Sequence, residues 1–330
     1  MKLIVSLDYE LFFGAKTGTV ENCLIKPTNA LTDAVNDFGV KLSLFVDAGY
    51  LEALKREGKK SPELLRSYDT VTSHLSKLSK NGHDIQLHIH PHWEDCSYKN
   101  GVWHVDTSRY RLHEFPESEQ DEIVSRYKSI LEQFSEKPVF AYRAGGWCIQ
   151  PFSQIKKALQ SSKIWLDSTV YYQGKSDDQT RWFDFSSAPD LDEWFFNDDP
   201  NKLAKNGEFL EIPISSIKVN PIFFWKLLAT KKFMKSDHFK AYGDGAAMVA
   251  NRSYYLNLLT RYTNSVVSLD GFKAKLIESA FNKYQSEGRE IFNIIGHPKA
   301  FTPYSIKCFR QFIEGQDKFL EAVTYQHFRN

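Results

Sequence analysis

Three histidines stand at alternate positions in the stretch 82–93, which reads GHDIQLHIHPHW. Residues 84–89 alternate between apolar and polar side chains, which predicts a strand ending beside His88, His90 and His92. Alternate residues of an extended chain share one face. Three imidazoles are costly to bury unless a group uses their lone pairs, and a divalent metal is the usual one. A surface cluster, or core histidines bonded to the backbone, is the structural alternative, but so close a group favours metal binding.

Other ionisable side chains also follow the ends of predicted strands. They are Asp8, Glu10, Asp47, Arg143, Asp167 and His297. Taken singly, each has an ordinary alternative role in a helix cap, a turn or a surface ion pair. Because they recur at the ends of several strands, we expect them to share one site.

The residue types indicate metal-assisted hydrolysis of an amide or an ester. Two imidazoles and one carboxylate leave open positions on a divalent metal, as catalytic sites do. Such an ion polarises a carbonyl oxygen and acidifies water. Asp8 and Glu10 can divide the roles of ligand and proton acceptor, and His297 can protonate the leaving atom. Arg143 can orient a carboxylate or stabilise negative charge.

Short apolar runs alternate with helical patterns along most of the chain. Strands are predicted over residues 2–7, 41–46, 84–89, 138–142, 164–166, 209–214, 290–295 and 322–328. Helices are predicted over residues 27–38, 61–80, 118–134, 151–159, 221–261, 269–286 and 304–313. This alternation favours a parallel sheet, and so many strand–helix units favour a closed or nearly closed barrel. The rim at the carboxyl ends of barrel strands is where catalytic groups collect.

The composition indicates one domain over residues 1–330, with loop insertions at about 94–115, 171–205 and 221–261. A formal net charge of +1 gives no field that would attract nucleic acid. The four cysteines are too far apart for a CxxC pair or a disulfide framework. The N-terminal apolar run is too short for a signal peptide, and no apolar run is long enough to span a bilayer. We therefore expect a cytoplasmic protein; the pattern does not indicate an oligomeric state.

The motifs resemble those of the polysaccharide deacetylase superfamily, the NodB-homology fold of carbohydrate esterase family 4. The similar stretches are SLDYE at 6–10, GHDIQLHIHPH at 82–92, YRAGG at 142–146, LDS at 166–168 and IIGHP at 294–298. LFVD at 44–47 and LEIP at 210–213 resemble core strands of the same fold. The order of the motifs agrees, and the resemblance covers residues from about 1 to 301.

The resemblance implies a distorted (β/α)7-type barrel and a divalent metal, most simply Zn²⁺, with Mn, Co or Ni as alternatives. It implies His88 and His92 as metal ligands, Asp8 as general base and His297 as general acid, with Arg143 and Asp167 as further catalytic residues. The family's metal-binding Asp aligns with Tyr9, which is a poor ligand. Glu10 is the substitute ligand, or Asp8 binds the metal and Glu10 is the base. His90 is an extra imidazole that can contact the metal ligands and orient them.

The chain is most similar to a divergent branch found with surface-polysaccharide or O-antigen assembly genes (WbmS-like proteins). The resemblance implies removal of an N-acetyl or N-formyl group from an amino sugar carried on a nucleotide or a lipid. The aromatic residues that could stack on a sugar, or belong to the core, are Trp93, Trp103, Trp147, Tyr171 and Tyr172. One alternative is hydrolysis of another carbon–nitrogen amide, cyclic or small. The other is a non-catalytic glycan-binding relic, which the Tyr9 departure suggests.

Overall fold

A computed structural model describes residues 1–233, 236–248 and 252–329 and shows a mixed α/β fold. Its strands are β1 Lys2–Tyr9, β2 Ser43–Asp47, β3 Asp84–Ile89, β4 Ser97–Lys99, β5 Val102–His104, β6 Ala141–Ala144, β7 Leu166–Asp167, β8 Lys175–Ser176, β9 Phe183–Asp184, β10 Trp194–Phe196, β11 Phe209–Glu211, β12 Ser216–Val219, β13 Thr263–Val266, β14 Ile291–Gly296 and β15 Glu321–Val323. Its α-helices are α1 Lys26–Val35, α2 Ala48–Gly58, α3 Pro62–Lys80, α4 Glu117–Glu132, α5 Lys156–Ser161, α6 Pro221–Phe233, α7 Arg252–Thr260, α8 Ile277–Ser286 and α9 Pro303–Gln316.

The chain packs as two compact units. The first unit consists of Met1–Leu7, Leu11–Lys41 and Ile214–Val323. The second consists of Asp8–Glu10, Leu42–Pro213 and the residues from Thr324 onward. Strand β1 therefore contributes its first residues to the first unit and its carboxyl end to the second.

The second unit is built on a parallel sheet in the order β2, β3, β6, β7 and β11. Strand β10 pairs antiparallel with β11. Every residue of β2 and β3 is buried, as expected for parallel strands covered on both faces. Helix α3 begins with Pro62, whose missing N–H costs nothing in the first turn, and Gly82 turns the chain into β3 with φ 90°.

In the first unit, the Lys2–Leu7 part of β1 lies in parallel between β14 and β15. The register joins Lys2 to Ile291 and Leu7 to Gly296. Strands β12 and β13 form a separate antiparallel pair. Helix α9 is capped by Thr302, whose hydroxyl accepts from the backbone N–H of Ser305 at 3.0 Å. None of the helices within the described residues combines the length and apolar character needed to cross a bilayer.

The predicted mixed α/β character and the parallel pairing are confirmed, and strand 84–89 has the predicted bounds. The closed or nearly closed (β/α)7-type barrel and the single domain stay predictions. Several local predictions differ from the structure. The predicted loops contain short strands, with β4 and β5 in 94–115 and β8, β9 and β10 in 171–205. The helix predicted over 221–261 is represented among the described residues by two helices, α6 and α7. The last strand ends at Val323 before a 3₁₀ turn, and helix α2 is absent from the sequence prediction. Within α2, Gly49 packs closely against its neighbours, because a Cβ there would lie 2.8 Å from the Tyr127 hydroxyl.

Candidate metal centre

The centre lies where neighbouring strands of the second unit end. Asp47 on β2 is in register with His88 on β3, and His88 is in register with Arg143 on β6. Because residues in register on parallel strands point to the same side of the sheet, these three side chains form one row. Asp8 and Glu10, at the carboxyl end of β1, belong to the same unit.

Glu10 brings two imidazoles together. Its Oε2 lies 2.7 Å from Nε2 of His90 and 3.3 Å from Nε2 of His88. All three side chains are buried, and one potential ligand atom from each lies within 4.8 Å of the others. A carboxylate oxygen and two imidazole nitrogens are a donor set that zinc and similar divalent ions accept. The residues present therefore fit a divalent cation.

Contacts behind the two rings fix their orientation. The Nδ1–H of His88 donates to the backbone carbonyl of Arg143 at 2.9 Å, which leaves the Nε2 lone pair of a neutral ring directed towards Glu10. His90 packs against Gly145, where a Cβ would lie only 2.6 Å from Cε1 and Nδ1 of the ring. Glycine is therefore required at position 145 for His90 to keep its position.

The charges around His88 favour a positive charge at its Nε2. Burial alone would lower the pKa of His88, but the neighbouring carboxylates outweigh burial and raise it. These carboxylates belong to Asp8, Glu10 and Asp47. A lone pair and a carboxylate oxygen repel one another unless a proton or a cation lies between them. The same electrostatics that favour a protonated imidazole therefore favour a bound divalent ion.

His92 is not part of this cluster. Strand β3 ends at Ile89 and the chain turns into the 3₁₀ segment Pro91–Glu94, so the predicted alternation of the three histidines stops after His90. The His92 ring stacks on Trp93 and Tyr110, with interplanar angles of 24° and 10°. Burial, together with positive charge at His90, lowers its pKa well below the ordinary value. The structure thus groups His90, predicted as a supporting residue, with Glu10 and His88.

Arg143 is fully buried and links Asp8 to the loop that follows β7. Its Nη1 donates to Oδ1 of Asp8 at 2.7 Å, and its Nε donates to the carbonyl of Ser168 at 2.6 Å. Its Nη2 donates to the Ser168 hydroxyl at 3.1 Å, which also bonds to the Tyr325 hydroxyl at 2.6 Å. The guanidinium lies 4.1 Å from the centre of the Phe45 ring. These contacts hold the Arg143 side chain in place, and Arg143 in turn holds the Asp8 carboxylate.

Asp167 belongs to a buried pair of carboxyl groups. It is in register with Glu211 on β11, and the two side chains hydrogen-bond to each other. The hydroxyl of Thr169 donates to Asp167 Oδ1 at 2.7 Å, and the backbone N–H of Val170 donates to Glu211 Oε1 at 3.1 Å. Burial raises the pKa of Glu211 well above its ordinary value, and the Asp167 charge raises it further. Sharing a proton is therefore favourable for these two buried carboxyl groups, because it relieves the repulsion between their charges.

Two further buried carboxyl groups have no individual chemical role in the sequence analysis, although Asp47 is expected at the shared site. Asp47 accepts a hydrogen bond from Trp93 Nε1 at 2.6 Å, and burial raises its pKa to about 7. Glu211 is the second. The sequence signal for both is an acidic residue inside or at the end of an apolar strand, where an unpaired charge would be costly.

His297 follows β14 in the first unit and pairs with Asp270. Its Nδ1 lies 2.8 Å from Asp270 Oδ2, and its backbone N–H donates to Oδ1 at 2.8 Å. Burial would raise the pKa of Asp270, but these His297 contacts lower it. Asp270 therefore fixes the orientation of the imidazole through both contacts.

Neither a protein-family model nor a curated protein sequence matches this chain. Solved structures align with it at low identity. A protein assigned as a polysaccharide deacetylase from Mycobacterium smegmatis is 13% identical with a TM-score of 0.47, over 98% of this chain and 88% of that one. Puue allantoinase is 12% identical with a TM-score of 0.48, over 99% and 88%. Peptidoglycan deacetylase PdaC from Bacillus subtilis is 11% identical with a TM-score of 0.36, over 99% and 89%.

Proposed function

We propose that the protein is a metal-dependent hydrolase that removes an acetyl or formyl group from the nitrogen of an amino sugar. The observation that carries this proposal is the buried approach of Glu10 Oε2 to Nε2 of both His88 and His90. These three residues would hold the divalent ion, with zinc as the first choice. When bound, such an ion polarises the amide carbonyl and acidifies water.

Asp8 is the general base in this proposal. Arg143 holds its Oδ1 at 2.7 Å, while Oδ2 lies 3.8 Å from Nε2 of His88. Oδ2 is therefore directed towards the centre and can accept a proton from the attacking water. The closer approach of Glu10 to both imidazoles supports Glu10 as the ligand and Asp8 as the base.

The general acid in this proposal is His297, a role that rests on its motif. Its Nδ1 pairs with Asp270, a contact that would stabilise the protonated imidazole that a general acid requires. Arg143 and Asp167, each about 1% exposed, are enclosed by protein contacts. Their burial supports roles in holding Asp8 and the end of β6, in preference to direct contact with substrate.

A sugar substrate is supported by aromatic side chains that follow Arg143 along the chain. Trp147 and Tyr171 are both partly exposed, and their ring centroids lie 5.8 Å apart. Partly exposed rings can stack on the apolar face of a sugar. Trp93 is fully buried against His92 and belongs to the core. We propose a cytoplasmic nucleotide-linked or lipid-linked N-acyl amino sugar of surface-polysaccharide synthesis as the substrate.

Release of acetate or formate from N-acylated sugar nucleotides tests the proposal. The enzyme is assayed after chelation and after restoration with Zn²⁺, beside a cyclic ureide and a small formamide. Glu10→Gln and His88→Ala should lose nearly all activity, because each removes one ligand. His113→Ala, at a half-buried histidine outside the cluster, is the matched control.

Zinc-dependent release from an amino sugar, lost in both ligand variants and retained in the control, would support the proposal. Turnover that survives chelation, or that survives both ligand substitutions, would refute metal-dependent catalysis. Turnover confined to the cyclic ureide or the formamide would support a metal-dependent hydrolase but refute the amino-sugar substrate.

A further inference from the structure

Helix α6, Pro221–Phe233, carries large apolar side chains on its exposed face. Ile222, Trp225 and Phe233 have exposed fractions of 59%, 56% and 74%. With the exposed Ala229 they recur at the i, i+3, i+7 and i+11 spacing of one helix face. An apolar stripe of this kind on the outside of a protein marks an interaction surface.

Helix α7, Arg252–Thr260, extends this surface within the same unit. No residue of α7 is buried, and Tyr254 and Leu256 are 50% and 61% exposed. The indole Nε1 of Trp225 donates to the carbonyl of Leu259 at 3.0 Å and joins the two helices. Tyr262, which follows α7, is 60% exposed. We call the exposed side chains of α6, α7 and Tyr262 the α6–α7 surface.

The segment 218–262, which contains α6 and α7, is more positively charged than the chain as a whole. Residues 218–262 contain eight Lys or Arg and two Asp, whereas the complete chain has a net charge of +1. Lys226 and Lys232 flank the apolar stripe and are exposed. Lys218, in the strand that precedes α6, and Arg261, which follows α7, are also exposed. The α6–α7 surface therefore combines apolar area with a local excess of positive charge.

We propose that the α6–α7 surface docks onto an anionic lipid surface. Trp and Tyr place an apolar ring in the acyl boundary and a polar tip among head groups, while lysines pair with anionic lipids. A symmetric contact with a second copy would instead place the two positive segments against each other, which is unfavourable. The proposal is independent of the hydrolase activity.

Co-sedimentation with lipid vesicles tests this proposal on the complete chain. Vesicles of phosphatidylcholine alone are compared with vesicles that also contain phosphatidylglycerol, at low and high salt. Ile222→Glu combined with Phe233→Glu removes the apolar stripe, and Lys226→Gln combined with Lys232→Gln removes flanking charge. Leu203→Glu, at a site that is 59% exposed in the other unit, is the matched control.

We expect salt-sensitive binding to the anionic vesicles, weakened about tenfold or more by each double substitution and unchanged by Leu203→Glu. Unchanged thermal unfolding of the variants would show that they remain folded. Absence of binding at low salt would overturn the proposal, as would equal binding by the wild type and the stripe variant. Sedimentation velocity that shows self-association abolished by the stripe variant, without vesicle binding, would identify a second copy as the partner and also overturn it.

Discussion

Replacing Arg143 with leucine should destabilise the protein far more than replacing an exposed arginine. Arg143 is about 1% exposed and donates to Asp8 Oδ1 at 2.7 Å and to the Ser168 carbonyl at 2.6 Å. Removing one partner of a buried ion pair leaves an uncompensated charge and costs about 3–5 kcal/mol. We expect Arg143→Leu to lower the free energy of unfolding by that amount.

A double-mutant cycle in urea measures the part of this loss that belongs to the pair. Asp8→Asn, Arg143→Leu and the double variant are unfolded in the presence of a chelator, so that bound metal does not contribute. Because the two side chains are in contact, their coupling free energy should be about 1–3 kcal/mol. The double variant should therefore be more stable than the sum of the two single losses predicts.

Arg109→Leu is the matched control. Arg109 also contacts a carboxylate, with Nη2 2.6 Å from Asp95 Oδ1, but its side chain is 36% exposed. An exposed pair contributes at most about 1 kcal/mol. A loss for Arg143→Leu no larger than that for Arg109→Leu, or strict additivity in the cycle, would refute the role of Arg143 as the fixed partner of Asp8.

Two further predictions concern His74, which contacts Tyr9, and Gly145, which packs against His90. The buried His74 ring, bonded to the Tyr9 hydroxyl at 2.9 Å, has its pKa lowered by burial from 6.5 to about 4. Because the unfolded chain takes up this proton first, stability should fall by up to about 3 kcal/mol as pH falls from 6.5 towards 4. Urea unfolding across this pH range should show a smaller fall for His74→Gln, and an equal fall would contradict the assignment. Gly145→Ala should weaken zinc binding about tenfold or more by displacing His90, whereas Gly315→Ala, which meets no neighbouring atom, should leave affinity unchanged in a competition titration.

Strand positions and the general location of the centre could be predicted because both follow from local patterns. Strand 84–89 reads as alternating side chains that end in histidine, and the structure retains those bounds. Short strands were harder to place. β7 has two residues, and the hairpin of β4 and β5 has three residues in each strand, too few for a periodic signal.

The choice between His90 and His92 could not be made from spacing alone. Both lie an even number of residues from His88, so an extended chain would place all three imidazoles on one side. Pro91 begins a 3₁₀ turn, which directs His92 towards Trp93 and Tyr110. Motif similarity favoured His92, whereas the local turn groups His90 with Glu10.

The pairing of Asp167 with Glu211 could not be predicted from the sequence either. The two residues are 44 positions apart, and only the parallel register of β7 with β11 brings their carboxyl groups together. A lone aspartate at a strand end resembles a catalytic residue or a turn. Its actual partners, Thr169 and the second carboxyl group, explain how its charge is accommodated in a buried position.

Metal content is the measurement that tests the central claim most directly. The purified protein is depleted with a chelator, titrated with Zn²⁺ by calorimetry and analysed by elemental mass spectrometry. We predict about one tightly bound ion per chain. Binding should be lost in Glu10→Ala, His88→Ala and His90→Ala and retained in His92→Ala. Failure of the wild type to bind any divalent ion, or undiminished binding by the Glu10 and His88 variants, would contradict the claim.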